Sequence, residues 1–204
     1  MDLLSYQRTV FGFHGCDRRV ADAVLAGKAT LQASDNTYDW LGSGIYFWEH
    51  GPARALEWAE QQTKRKGSNI KHPAIIGAVI QLGNCFDLLD VFFTTQLAQY
   101  AEELEKVMSA VGQPLPSNQR GPAGDPDWLK RHRDCFVLNY TIPLFEENSQ
   151  SRIQTVRGVF QEGPAAFSGA GIKLKSHIQI AVRDPRAIIG YFRPEHPSTS
   201  LLTT

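Results

Sequence analysis

The sequence lacks long hydrophobic runs and an excess of charge of either sign. Its longest strongly apolar run, Ala74 to Ile80, is far shorter than the about 20 residues of a membrane helix. Lys plus Arg and Asp plus Glu both number 21 in 204 residues, which removes the electrostatic argument for non-specific binding to nucleic acid or an anionic membrane. The N-terminal segment does not have the positively charged stretch followed by an apolar stretch that is typical of a signal peptide. We therefore expect no membrane partner.

Paired cysteines and common nucleotide-binding loops are also missing. The three cysteines, Cys16, Cys85 and Cys135, are widely spaced and odd in number, which argues against a disulfide framework and favours a reducing cytoplasm. No CxxC or paired Cys/His spacing supports a structural zinc ion. Cys85 and Cys135 each adjoin a phenylalanine and are interpreted as small core residues. The GxGxxG and GxxxxGK[ST] phosphate loops are absent.

Hydrophobic periodicity and turn residues predict one α+β domain over residues 1–204. Predicted strands cover 8–13, 44–48, 74–82, 155–160, 177–183 and 188–192. Two helices are predicted at 18–26 and 52–66. A third is capped by Thr94 or Thr95 and ends at Gly112, and a fourth runs from Pro126 or Asp127 to Asn139. Residues 113–125 are expected to form a loop, and the tail from Pro194 to be frayed.

The order of these elements does not alternate regularly, which disfavours a doubly wound parallel sheet. We expect a split sheet of mixed or antiparallel strands, with helices packed around it and a helical insertion at about 84–150.

A histidine ends the first predicted strand, in Phe13-His14-Gly15-Cys16. Its imidazole would stand at the strand end, and Gly15 would let a ligand approach the main chain closely. The alternative is a histidine that only caps a loop.

Two glycines lead into an aromatic strand, Trp40 to Trp48. Since side chains alternate along a strand, Tyr46 faces opposite Phe47, and one side can be core while the other binds a ligand. Tyr46 could then stack on a flat heterocycle flanked by Trp40. The alternative is an aromatic-rich core strand.

A third set of polar residues lies near the C-terminus. Alternation puts His177 and Gln179 on one face of a strand, and Glu162 follows the strand that ends at Phe160. The alternative is a solvent-facing edge strand with a turn carboxylate.

Together these pieces resemble an ADP-ribosyltransferase domain of the branch that includes diphtheria toxin and poly(ADP-ribose) polymerase. In that family a strand ends in His-Gly, and Gly-x-Gly-[IL]-Tyr-[FL] and a helix bearing Ala and Trp follow. His14-Gly15, Gly42 to Phe47, and Ala55 with Trp58 match this pattern. The resemblance spans residues 8–66 well and 155–192 loosely, while 84–150 has no match.

The resemblance implies the fold of that family and a cleft that binds NAD as a substrate, in a bent form and without a metal ion. His14 would bind the adenosine-side ribose, the Gly15 main chain the carboxamide, and Tyr46 would stack on the nicotinamide. The expected NAD-binding residues are His14, Gly15, Ser34, Asn36, Gly44, Tyr46 and His177.

The sequence departs from the family where a carboxylate is usual, since Gln179 stands there. Gln179 can position a ribose hydroxyl but adds no negative charge opposite an oxocarbenium ion. Either Glu162 reaches in from the preceding loop, or Gln179 suffices with His177 beside it. The expected catalytic residues are His14, Tyr46, Glu162 and Gln179, with Glu49 as a lesser candidate carboxylate.

The implied function is an NAD-dependent transferase that moves ADP-ribose to a macromolecular acceptor, either a protein or a nucleic acid. A bacterial toxin or defence effector is one role this implies, with an antitoxin or inhibitor as a partner. The alternative is a catalytically weak or inactive module that binds NAD or ADP-ribose. A transferase acting on RNA 2′-phosphate is a weaker option, because its more basic site pattern is missing.

Overall fold

The computed structural model describes residues 5–121 and 127–195. Within them the chain forms an α+β fold with six strands and four α-helices. The strands are β1 (Ser5–Asp17), β2 (Ile45–Glu49), β3 (Pro73–Asp87), β4 (Thr155–Phe160), β5 (His177–Val182) and β6 (Ile188–Phe192). The helices are α1 (Arg18–Leu25), α2 (Pro52–Thr63), α3 (Val91–Ala110) and α4 (His132–Ser149).

The strands form one mixed sheet in the order β1-β2-β5-β4-β3-β6. The β3–β4 pair is parallel and the other pairs are antiparallel. β3 also pairs with β1, so that β1, β2, β5, β4 and β3 form a closed circuit of pairings. The 15-residue β3 is long enough to pair with β1, β4 and β6.

Alternation along the strands separates an interior core from an outer one. Phe47 and Ile180 are paired across β2 and β5 and lie in the interior cluster. Their neighbours Tyr46 and Ala181 pack in a second cluster, with Leu138 and other side chains of α3 and α4. A smaller cluster lies under α2.

The predicted α+β class with a mixed sheet and most predicted elements are confirmed, and β4 and β6 have the predicted bounds. The predicted cap of α3 is wrong, because Asp90 precedes the helix and its carboxylate accepts a hydrogen bond from the Phe92 N–H. The three cysteines are free and buried. In the part of the chain that the structure describes, every helix is too short or too polar to span a bilayer.

The predicted bounds of α4 are also wrong, since it starts at His132 and continues to Ser149. Its buried stripe goes on through Ile142 and Phe145, while Pro143 lies on the exposed side. Burial of this stripe outweighs the loss of one main-chain hydrogen bond at the proline. Residues 122–126, which include one predicted start of this helix, and 196–204 of the predicted tail lie outside the described residues.

Asp17 is the last residue of β1 and the N-cap of α1, and it also holds the segment before β3. Its carboxylate accepts hydrogen bonds from the main-chain N–H groups of Arg19 (3.0 Å), Lys71 (2.7 Å) and His72 (3.0 Å). The N–H of His72, followed by that of Lys71, holds the pKa of Asp17 well below its usual value of 3.8.

Asp17→Ala should lower the free energy of unfolding by about 3 kcal/mol, because it leaves main-chain N–H groups without their acceptor. Urea denaturation at neutral pH measures this difference. Since the pKa is lowered in the folded state, the difference is complete above pH 3.8 and shrinks as the pH falls below it.

The matched control is Asp22→Ala, which removes an exposed carboxylate paired with Arg193 and should cost less than about 1 kcal/mol. Equal effects of the two substitutions would contradict the role assigned to Asp17.

Candidate functional site

The His-Gly and Gly-Ile-Tyr motifs meet where the pairing of β1 with β2 stops. The paired residues are Gly12 with Glu49 and Phe13 with Trp48. One step further, His14 Nδ1 lies 2.8 Å from the main-chain oxygen of Tyr46. The two motifs are therefore joined directly, through the Tyr46 main chain.

This contact defines the protonation of His14. A carbonyl oxygen only accepts hydrogen bonds, so Nδ1 carries the proton and Nε2 is the acceptor nitrogen. Burial lowers the pKa of His14, although the hydrogen bond to Tyr46 opposes this effect. His14 thus offers an acceptor to a hydroxyl group at neutral pH.

Gly15 has its main chain directed into the same gap. The Phe11 carbonyl accepts from the His50 N–H on the β2 side, and alternation directs Phe13 and Gly15 the same way. A Cβ atom at Gly15 would overlap the Ala55 carbonyl oxygen. The glycine is thus required by the close approach of α2, whereas the sequence suggested the approach of a ligand.

Tyr46 and Phe47 lie on opposite sides of β2, as predicted. Phe47 is fully buried in the interior. The Tyr46 hydroxyl donates to the Gly42 carbonyl (2.8 Å) and accepts from the Leu41 N–H (2.9 Å). Burial raises the pKa of this phenol well above its usual value. The hydroxyl therefore stabilises the turn before β2. The part of Tyr46 that can contact a ligand is its aromatic ring.

Gln179 lies on the same face as Tyr46, in the middle of the sheet. Because β5 pairs with both β2 and β4, the edge-strand alternative is wrong. Its Oε1 accepts a hydrogen bond of 2.6 Å from Trp40 Nε1. An indole N–H only donates, so the amide oxygen faces Trp40 and the NH₂ group of Gln179 remains a donor.

His177, two residues before Gln179, is a second imidazole whose acceptor nitrogen has no partner among the described residues. Its Nδ1 lies 2.6 Å from the Lys175 carbonyl, which makes Nδ1 the donor. Nε2 is buried and has no hydrogen-bond partner among the described residues. The ring stacks on Phe160, with centroids 5.4 Å apart, and burial lowers its pKa.

Glu162 is held next to His177 by a residue that the sequence did not single out. Both its carboxylate oxygens lie 2.7 Å from Arg54 Nη2. Its side chain is 16% exposed, and the charges of Arg54 and Glu162 both act on His177. The carboxylate of Glu162 thus lies near the face of the sheet that bears His177 and Gln179, and it forms an ion pair with Arg54.

Arg131 was also missed by sequence reasoning. Its guanidinium lies 4.1 Å from the centre of the Phe160 ring and 5.1 Å from that of Trp40, and burial lowers its pKa. It comes from the start of α4, inside the segment without a recognisable motif. The only feature of the sequence that could have indicated Arg131 was the short basic run at 130–133.

The loop before β2 is held together by hydrogen bonds among three predicted NAD-binding residues, Ser34, Asn36 and Gly44. Ser34 and Gly44 exchange main-chain hydrogen bonds of 2.8 and 3.2 Å, and the Asn36 amide donates to Ser34 Oγ at 2.7 Å. A Cβ atom at Gly44 would lie 3.0 Å from the Val182 carbonyl oxygen. These residues shape the wall that carries Trp40.

Glu49 belongs to a buried ion cluster on the interior face. It accepts from Arg157 Nε (2.6 Å) and Nη2 (3.0 Å), and Asp87 accepts from Nη1 (3.0 Å). Both carboxylates and the guanidinium are buried. Of the two candidate carboxylates, Glu162 rather than Glu49 shares the face of Gln179.

Known proteins add little to this description. No protein-family model matches the chain, and no solved structure matches it. The uncharacterized protein MJ0359 of Methanocaldococcus jannaschii is 32% identical over 91 residues. That match covers 44% of this chain and 41% of the length of MJ0359.

Proposed function

We propose that the protein is an NAD-dependent ADP-ribosyltransferase. The observation that carries the proposal is the 2.8 Å contact between His14 Nδ1 and the Tyr46 carbonyl. It joins the two motifs of the family resemblance at a gap between strands, and it leaves His14 Nε2 as an acceptor beside the main chain of Gly15.

The polar atoms at this gap suit the parts of NAD. The acceptor Nε2 of His14 suits a ribose hydroxyl, and the N–H and C=O of Gly15 suit a carboxamide, which both donates and accepts. On the neighbouring face, the Gln179 NH₂ group donates to an oxygen of the nicotinamide ribose. The His14 imidazole lies 5.7 Å from the Phe47 ring on the interior face, whereas the ring of Tyr46 supplies a surface for stacking on the face of Gln179.

In the reaction the bond between ribose C1′ and nicotinamide N1 breaks, and its electron pair leaves with nicotinamide. A lone pair of the acceptor forms the new bond to C1′, and the acceptor loses a proton. His177 Nε2, unprotonated and without a partner among the described residues, is the group suited to take that proton. The negative charge of Glu162 stabilises the developing cation.

A non-catalytic module is the second candidate, and the Trp40–Gln179 hydrogen bond favours it. That bond holds a neutral amide where the family has a carboxylate. Gln179→Glu keeps an acceptor for Trp40 and adds a negative charge. If the protein is a module that lost its activity through this residue, wild type should release no nicotinamide and Gln179→Glu should bring release back.

The test is incubation of the purified full chain with NAD, with nicotinamide release followed by chromatography and NAD binding by calorimetry. We expect release by the wild type, and a loss of at least about 10²-fold with His14→Ala, of the size seen when one well-placed contact is removed. The matched control is His72→Ala, an exposed imidazole, which should behave as wild type.

Tight binding without release would favour the module. Absence of both binding and release would overturn both candidates.

A further inference from the structure

A basic and aromatic surface lies at the start of α4. It consists of Arg120, Trp128, Lys130 and Arg133, all exposed, and is called here the α4 surface. The Arg120 guanidinium lies 4.7 Å from the centre of the Trp128 ring, and 45% of Trp128 is exposed.

Main-chain and side-chain hydrogen bonds hold this surface against α4. Gln119 and Lys130 exchange main-chain hydrogen bonds of 2.8 and 3.1 Å. Asn118 accepts from the Arg133 N–H and donates to Asp134, both at 2.8 Å. The main chain that carries Lys130 and Arg133 is therefore preorganised, which lowers the entropy cost of binding an extended partner.

A mainly apolar cavity of about 380 Å³ adjoins the α4 surface, between α3 and α4. Its apolar walls include Leu97 of α3 and Val137 of α4, and Arg131, Arg133 and Asp134 supply its charged lining. This volume is in the range of small-ligand pockets, about 300–1,000 Å³.

Trp40 connects the cavity to the proposed reaction site. Its ring lines the cavity, while its Nε1 donates to Gln179. A flat group in the cavity would therefore touch the same indole that holds Gln179. This is the place where an acceptor, rather than NAD itself, would be expected.

We propose that the acceptor is a single-stranded nucleic acid, an inference that rests on the proposed function. Its phosphates would lie along Lys130 and Arg133, one base would stack on Trp128, and another would enter the cavity beside Trp40. Aromatic rings and cations in one groove are the usual means of holding single strands. A base buried in a cavity must also be out of the helical stack.

The transfer is then the exchange already described, with a nitrogen of the base as the attacking group. The new bond joins that nitrogen to ribose C1′, nicotinamide leaves with the electron pair, and the N–H proton of the base is released. The balanced net charge of the chain is no obstacle, because Arg120, Lys130 and Arg133 form a local group of exposed cations on the α4 surface.

The first test is binding of a fluorescent single-stranded RNA of mixed sequence, and of the same sequence as DNA, to the full chain. The variant with both Lys130→Ala and Arg133→Ala should bind about tenfold more weakly at 100 mM salt. Its log–log salt dependence should be less steep by about 1.4, the value for two phosphate contacts on a single strand. Trp128→Ala should weaken binding about 5- to 100-fold through lost stacking.

The matched control removes two exposed cations elsewhere, with Lys64→Ala and Arg65→Ala after α2, and should leave binding unchanged. No binding by the wild type, or equal weakening in both double variants, would overturn the proposal. Circular dichroism of each variant separates lost binding from lost folding.

The second test incubates the chain with labelled NAD and a cell lysate, followed by separate nuclease and protease treatment. Label removed by nuclease supports the proposal. Label removed only by protease means a protein acceptor, so this inference fails while the proposed function stands. No label and no nicotinamide release, together with oligonucleotide binding that depends on Lys130 and Arg133, means that the proposed function fails and the α4 surface remains a nucleic-acid site.

Discussion

Glu162→Gln should lower the rate of nicotinamide release about 10²- to 10³-fold and leave NAD binding nearly unchanged. The carboxylate lies beside His177, on the face that carries Gln179, and both its oxygens are held by Arg54. Its negative charge stabilises the transition state, in which positive charge develops on the ribose, more than it stabilises bound NAD before the reaction. The amide is almost isosteric and removes only the charge, so the turnover changes while the binding contacts stay.

The matched control is Glu57→Gln, because Glu57 also pairs with Arg54, at 3.1 Å, and with Lys175. Its carboxylate is more exposed than that of Glu162, and the substitution should change turnover less than about threefold. Single-turnover release with calorimetric NAD binding separates the two effects. Wild-type turnover in Glu162→Gln would refute the assignment of the carboxylate, and Gln179→Ala would then be measured in its place.

Arg157→Met should lower the free energy of unfolding by about 3–5 kcal/mol. It leaves the buried Asp87 carboxylate without its cation and leaves Glu49 with the longer contact to Arg8, at 3.6 Å. Arg157 is 3% exposed, Glu49 8% and Asp87 4%. Burial by itself would lower the pKa of Arg157, but its hydrogen bond to Glu49 and the charge of Asp87 raise it. The guanidinium therefore stays charged, and the cluster joins β2, β3 and β4.

Urea denaturation at pH 7 measures this loss, with Arg152→Met as the control. Arg152 pairs with Glu146 at the surface and is 91% exposed, so its replacement should cost less than about 1 kcal/mol. A loss below about 1 kcal/mol for Arg157→Met would mean that the buried carboxylates find other partners or protonate at little cost.

Local signals accounted for much of the fold. Alternation along β2 separated Tyr46 from Phe47, and the short polar side chain of Asp17 marked the start of α1. Both signals depend on residues close in sequence, which is why they could be interpreted without the structure. The bounds of α4 could not be predicted in this way. Pro143 interrupts the helical sequence pattern, and only packing against α3 decides that the helix continues.

The site divides in the same way. Motif order predicted His14, Gly15, Tyr46 and Gln179 as site residues, yet it predicted none of the contacts that orient them.

The sequence by itself determined that Tyr46 and Phe47 lie on opposite faces of one strand, because side chains alternate with a two-residue period. It did not determine where β1 ends, since pairing with β3 carries that strand past His14 to Asp17. Only the tertiary structure decided that Trp40 orients the Gln179 amide, that Arg54 holds Glu162, and that Arg131 covers Phe160. The partners in these contacts are separated by 139, 108 and 29 positions in the chain. No local pattern encodes such pairs, since they form only when strand pairing and helix packing bring distant segments together.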